Sequence, residues 1–149
     1  MAVADSAVRH IEVQGRISYV SDPRVSGTGC ASSVKPSWCG LIVEDYKEIR
    51  GVGADATLDG VGHSRFFFVQ NGGHLVLQDL TLQNGLAQFV GSDRFDTVSA
   101  RVAIHCRQSC FALSAHVSKY GAAVFIYYSS MFVAIRCTFF KNYADSDVR

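Results

Sequence analysis

Residues 74–85 read His-Leu-Val-Leu-Gln-Asp-Leu-Thr-Leu-Gln-Asn-Gly, and this stretch decides the fold. It holds two short apolar runs, which Gln78-Asp79 separates, and it closes on Asn84-Gly85. The same alternation of short runs and polar or glycine turns occurs in segments 40–60 and 121–142. Self-similarity of this kind is the sequence signature of a repeat architecture.

The repeat has a constant internal spacing. The first and last apolar runs are 15 residues apart in each segment, as measured from Val43 to Leu58, from Phe67 to Leu82 and from Val124 to Phe139. The first two segments are 24 residues apart, both from Val43 to Phe67 and from Leu58 to Leu82. The step from Leu82 to Phe139 is 57 residues, which is 24 plus 33. The additional residues fall between Gly85 and Gly121.

These spacings predict an all-β fold. The runs are too short for helices and are rich in Val, Ile, Phe and Thr. Three strands in about 24 residues predict a right-handed parallel β-helix of about five coils, in which each strand pairs with its equivalent one coil away. We expect a single domain over 1–149 that is part of a longer chain, because no cap is recognisable at its end. Its predicted parts are a capping helix over 3–10, coils over 11–85, an insertion or degenerate coil over 86–120, and a further coil over 121–144.

The third run of each coil predicts which residues face inward. Alternation places the apolar residues around each threonine in the core and leaves the threonines outside. The predicted outward column is Thr57, Thr81 and Thr138. Such a column is ordinary β-surface chemistry, and ice or mineral binding is a remote alternative.

Composition excludes some classes of function. The 149 residues carry 14 basic and 13 acidic side chains, so the formal charge of +1 favours no nucleic-acid partner. No apolar run approaches the roughly 20 residues of a membrane-spanning helix. The first ten residues lack a secretory signal. An extracellular, cell-surface or organelle-lumen location is favoured if the chain is a processed fragment.

The five cysteines leave two interpretations open. Cys30 with Cys39 and Cys106 with Cys110 are candidate disulfide pairs, and Cys137 is left over in an apolar run. The alternative is that all five are buried, reduced thiols. Neither pair has zinc-site spacing, and we expect no metal or cofactor.

Several segments of the chain resemble the repeats of a known family. Ala56-Thr-Leu-Asp-Gly60, residues 74–85, Gly121-Ala-Ala-Val124 and Phe139-Phe-Lys-Asn142 are similar to the repeats of pectin-lyase-like right-handed β-helices. They are closest in style to the adhesin branch with its polymorphic outer-membrane proteins. The resemblance covers about residues 40–85 and 120–144. It implies the fold and says little about function.

Catalytic residues are not apparent in the pattern. Enzymes of this fold use clustered or paired carboxylates on neighbouring coils, but the repeat places Gln83 beside Asp59 and Arg136 near Asp79. None of the five histidines has metal-ligand spacing. We therefore expect a non-enzymatic structural or binding module, in an adhesin-like surface protein or a larger assembly. The alternative is a polysaccharide lyase, hydrolase or epimerase.

One apolar strip favours a binding function. If Val43, Phe67 and Val124 face inward, alternation turns several large apolar side chains outward. They form a candidate docking strip for another protein or a carbohydrate. An alternative is that residues 86–120 or the loop between Cys30 and Cys39 cover the strip. Its predicted members are Ile42, Phe66, Phe68, Phe125 and Tyr127.

Overall fold

A computed structural model describes residues 7–18, 40–62, 65–89, 101–105, 123–126 and 129–146. The described residues form twelve β-strands and no helix, so the all-β prediction is confirmed. The strands are β1 His10–Ser18, β2 Leu41–Val43, β3 Tyr46–Asp59, β4 Phe67–Val69, β5 His74–Gln78, β6 Thr81–Gln83, β7 Leu86–Phe89, β8 Arg101–His105, β9 Val124–Ile126, β10 Met131–Ile135, β11 Thr138–Phe140 and β12 Tyr143–Ser146.

Every strand pairing is parallel. One sheet runs in the order β11-β6-β3-β5-β10-β8, with β1 also paired to β3, and the other two run β2-β4-β9 and β12-β7. Leu58 lies opposite Leu82, and Leu82 lies opposite Phe139, as the repeat predicts. Strands of equivalent position in successive segments are therefore neighbours in the same sheet.

The predicted register is wrong by two residues in one place. Leu41, not Val43, lies opposite Phe67, while Val43 lies opposite Val69. The cause is unequal corner length, because Tyr46 lies five positions after Leu41 but His74 lies seven positions after Phe67. A shift of two keeps each side chain on its own face, and Val43 and Val69 are both 0% exposed.

The second and third segments match without any length difference. Phe67 to Val124, His74 to Met131, Thr81 to Thr138 and Leu86 to Tyr143 are all pairings across 57 residues. The left-handed corners repeat at the same distance, with positive φ at Asp79 and Arg136, at Asn84 and Lys141, and at Gly72 and Ser129. Identical corners let the strands between them stay in register.

The core lies between the sheets and is built from columns of inward side chains. The column Ile49, Leu77 and Ala134 comes from the second strands, and Leu58 and Leu82 come from the third. These five side chains are between 0% and 9% exposed. Burial of a Leu, Ile or Val side chain stabilises a fold by about 1.5–3 kcal/mol, so the columns supply the main driving force for stacking.

The N-terminal helix prediction is wrong where the structure describes the chain. Ala7 lies in a turn, Val8 and Arg9 are irregular, and His10 already begins β1. Residues 3–6 lie outside the described residues. The chain follows β3 instead of forming a helix, with the Glu48 amide donating to the Arg9 carbonyl at 2.8 Å.

Of the predicted insertion or degenerate coil over 86–120, the structure describes only residues 86–89 and 101–105. Strand β8, which includes the predicted run Val102–Ile104, pairs with β10 on the side away from β5. The 123–146 segment therefore stacks directly on 65–89, although β8 precedes it in the sequence. The other predicted run of this segment, 111–113, lies outside the described residues.

We predict that cysteines placed on neighbouring rungs form a disulfide. Thr57 and Thr81 are in register on adjacent parallel strands, at about 4.8 Å, which lies within the range of disulfide Cα separations. The double variant Thr57→Cys/Thr81→Cys should crosslink under mild oxidation. Thr57→Cys/Thr138→Cys, two rungs apart at roughly 10 Å, is the matched control. Peptide mapping by mass spectrometry reads both results, and equal crosslinking would contradict the register.

We also predict that Gly51→Ala is strongly destabilising. A Cβ at Gly51 would lie 2.0 Å from the Asp79 carbonyl oxygen and 2.7 Å from the Ala56 Cβ. Relief of this overlap should cost about 1–3 kcal/mol of unfolding free energy, measured by urea denaturation. The control Gly53→Ala has open space around its Cβ but a φ of +86°, so it should cost about 1–2 kcal/mol through backbone strain alone. Equal stability of wild type and Gly51→Ala would refute the close approach.

Candidate functional site

The predicted docking strip exists as a ladder, but much of it is buried. Ile42, Phe68 and Phe125 lie opposite one another on β2, β4 and β9. The rings of Phe68 and Phe125 stack with centroids 4.8 Å apart. Phe125 is only 3% exposed, and the Arg65 guanidinium lies 4.7 Å from its ring centre. Burial lowers the pKa of Arg65 to about 10. Ile42 and Phe68 are half-buried.

Phe66 was wrongly predicted to face outward. It is 1% exposed and belongs to the apolar core together with Phe67. The reason is that β4 begins only at Phe67, so strict alternation does not extend to Phe66. Tyr127 lies outside the described residues. Binding by the remaining strip residues stays a prediction.

The cysteine predictions lie mostly outside the described residues, as Cys30, Cys39, Cys106 and Cys110 all do. Cys137 is a free, half-buried thiol at the predicted inward position. Its Sγ donates to the Ile135 carbonyl at 3.4 Å, and burial raises the pKa of the Cys137 thiol. The thiol is therefore less reactive than an ordinary cysteine at neutral pH.

The threonine column is present in the predicted register. Thr57 lies opposite Thr81, and Thr81 lies opposite Thr138. Thr138 is exposed, while Thr57 and Thr81 are half-exposed. Arg16 continues the ladder beyond Thr57, so the outward face is not a uniform threonine array.

A groove of about 430 Å³ lies at the corner that follows the third strands. Its walls and floor come from three successive layers of the stack and from β1, which brings together residues far apart in the sequence. Charged, polar and aromatic side chains all contribute. The lining residues include Arg16, Asp59, Val61, Asn84, Lys141 and Tyr143.

Asp59 forms the floor of this groove and is 1% exposed. Its Oδ1 accepts from the Val61 amide at 2.9 Å and the Asn84 Nδ2 at 3.0 Å. Its Oδ2 accepts from the Gln83 Nε2 at 2.8 Å and from the Arg16 guanidinium. Burial alone would raise the pKa of Asp59, but these four donors together hold it well below its ordinary value.

Three other carboxylates also bind across or along the stack. Asp79 accepts two hydrogen bonds from the Arg136 guanidinium, from Nε at 2.5 Å and from Nη2 at 2.6 Å. The Glu44 carboxylate accepts from the side-chain amides of Gln70 and Asn71 at 2.8 and 2.7 Å. The guanidinium donors hold the pKa of Asp79 below its ordinary value. These carboxylates bind polar groups at the corners between strands.

The third of these carboxylates, Asp45, accepts from the Lys47 ammonium at 3.0 Å. Sequence reasoning missed Lys47, which is 1% exposed. It faces inward in the column of Leu75 and Phe132, where an apolar residue is expected. Its Nζ also donates to the Val8 carbonyl at 2.7 Å. The only available signal was a lysine at a core position of the repeat.

Asn142, which the family resemblance singles out, also has a structural role. It is 3% exposed, and its Nδ2 donates to the Leu82 carbonyl at 2.9 Å while its Oδ1 accepts from the Gly85 amide at 2.7 Å. One side chain therefore satisfies two backbone groups of the neighbouring segment. This explains the Phe-x-x-Asn spacing physically, since the asparagine closes the corner after the third strand.

Comparisons with family models, with curated proteins and with solved structures gave no match for this chain. In the part of the chain that the structure describes, no group of three or more His, Cys, Asp or Glu is placed to hold a metal ion. The same residues include no helix that is long and apolar enough to span a membrane. Among the described residues, the groove and the strip are candidate sites.

We predict that Asp59→Asn removes a pH-dependent part of the stability. The low pKa of Asp59 means that its carboxylate stabilises the fold above its unfolded pKa of about 3.9. This contribution is lost as the pH falls below that value toward the folded pKa. At neutral pH the variant should lose about 1–3 kcal/mol of unfolding free energy, and its difference from wild type should shrink on acidification below about pH 4.

The control for this prediction is Asp55→Asn, at an exposed position of the same strand. It should leave the unfolding free energy at neutral pH unchanged. Chemical denaturation at a series of pH values measures all three proteins. A difference between wild type and Asp59→Asn that stays constant on acidification would contradict the assignment.

Proposed function

We propose that this chain forms a right-handed parallel β-helix that acts as a non-enzymatic structural and binding module. The uniform 57-residue pairing of four strands supports the solenoid, because equivalent strands stack one coil away. Right-handedness follows from the strong preference of parallel crossover connections for that hand. The resemblance of the repeats to pectin-lyase-like proteins of the adhesin branch supports the same assignment.

The hydrogen bonding of the carboxylates is the observation that supports a non-enzymatic function. Asp59 receives four hydrogen bonds, and Asp79 is held by both ends of the Arg136 guanidinium. A general acid or base must exchange protons with substrate near the working pH. Both pKa values are instead lowered, which favours permanently ionised groups that join coils.

The proposed setting is a surface adhesin-like protein or a subunit of a larger assembly. A parallel stack with rigid corners presents its lateral faces at fixed spacing, and such a surface suits binding to another protein or a carbohydrate. The half-buried Ile42 and Phe68 and the corner groove are the faces that carry this function.

We predict that Asp79→Asn and Arg136→Gln act as one structural unit. Each single variant should lower the thermal unfolding midpoint, and the double variant should lower it by less than the sum of the two, because the same pair is lost. Neither the wild-type chain nor either variant should form product from a polysaccharide. The assay incubates the chain with neutral and uronate polysaccharides and measures new reducing ends and unsaturated uronate products.

The alternative function, a lyase or hydrolase of this fold, predicts a different result. Product would form with the wild-type chain and would disappear in Asp59→Asn or Asp79→Asn while the protein stays folded. That outcome would overturn the non-enzymatic proposal. An epimerase would be detected by a change in the uronate composition of the recovered polymer.

A further inference from the structure

We propose that the corner groove binds a neutral saccharide, with the ring of Tyr143 as the stacking surface. This inference rests on the proposed binding function and names its ligand class. Tyr143 lines the groove and is 61% exposed. A pyranose has an apolar face of C–H groups and an edge of hydroxyls. An exposed aromatic ring beside polar groups can contact both.

The exposed apolar residues concentrate at this groove. Of the six large apolar side chains that stand exposed among the described residues, Val61 and Tyr143 line it. Phe140, at 51% exposure, directly precedes the lining residue Lys141. Single exposed apolar residues need no explanation, but three at one groove mark a surface that meets something.

The floor of the groove is fixed in place before any ligand arrives. Asp59 is held by hydrogen bonds from Val61, Gln83, Asn84 and Arg16, so its carboxylate cannot turn away. A preorganised polar floor lowers the entropy cost of binding. The backbone is also tied across the coils, with the Gly60 and Gly62 amides donating to the Gln83 and Asn84 carbonyls at 2.9 and 2.7 Å.

The charged side chains of the groove already interact with groups of the protein. The guanidinium of Arg16 is already paired with Asp59. The Lys141 ammonium lies 5.1 Å from the centre of the Phe140 ring, where a cation is favourably placed. It can still donate hydrogen bonds to a hydroxyl. A saccharide hydroxyl both donates and accepts, so it fits this mixture of donors and acceptors.

The size of the groove favours a small ligand over a protein. About 430 Å³ falls within the range of small-molecule sites, whereas a stable protein interface buries about 800 Å² on each partner. The groove also takes its residues from several layers that repeat along the stack. Neighbouring sugar units of one oligosaccharide can therefore contact different layers.

The experiment measures binding of the full chain to neutral oligosaccharides of glucose, mannose and galactose, and to an oligogalacturonate. Protein-observed NMR titration or calorimetry gives the dissociation constants. We expect at least one neutral oligosaccharide to bind. Tyr143→Ala should weaken that binding at least tenfold, while Tyr143→Phe, which keeps the ring, should stay within about threefold of wild type. The matched control is Tyr46→Ala, at a tyrosine that is 37% exposed and lies outside the groove.

Three results would overturn the proposal: no neutral oligosaccharide binds, only the oligogalacturonate binds, or Tyr143→Ala binds as well as wild type. The thermal unfolding midpoint of each variant shows whether it is folded, and Tyr143→Phe tests the ring without the loss of its packing. Product analysis of the same mixtures keeps the two proposals separate. If a saccharide binds and product forms, only the non-enzymatic function is contradicted. If no saccharide binds and no product forms, only the saccharide site is contradicted.

Discussion

Parallel backbone hydrogen bonding between successive segments is the constraint on which the rest of this structure depends. A parallel strand pair cannot be closed by a tight hairpin, so each pair needs a longer crossover connection between its two strands. Each corner on the way must have a length that returns the strands to register. The corners of the second and third segments meet this requirement with identical lengths and with left-handed residues at the same positions.

Polar side chains complete what the backbone ladders leave open at the corners. Asp59, at the end of β3, and Asn142 and Asp79, between strands, each bind groups of a neighbouring segment. Buried polar groups are tolerated only where their hydrogen bonds are satisfied. The same residues that look like candidate catalytic groups in a sequence are therefore needed to hold adjacent layers together.

Much of this arrangement could be predicted from spacing alone, because strand faces and rung partners follow from periodicity. The pairs Leu58 with Leu82 and Thr81 with Thr138 were predicted in the observed register. Corner length was not predictable, since it depends on local turn geometry, and this is why Val43 was placed opposite the wrong partner. Phe66 was misplaced because the exact start of a strand has no sequence signal.

The candidate groove could not be predicted from the repeat, because its residues belong to corners and to β1. Arg16 and Lys141 are 125 positions apart, and nothing in their sequence context links them. Lys47 was missed for a related reason: its burial depends on the carbonyl of Val8, which the repeat does not include. Periodicity describes the strands, while the corners and the ends follow from particular contacts.

The position of β8 has a consequence for how the chain assembles during synthesis. Residues 101–105 leave the ribosome before residues 131–135, although β10 separates them from β5 in the finished sheet. The nascent chain thus offers the free edge of β5 to β8 first, when the correct neighbour has not yet been made. Native pairing requires β8 to wait unpaired or to give up that edge, so this sheet cannot grow in simple vectorial order.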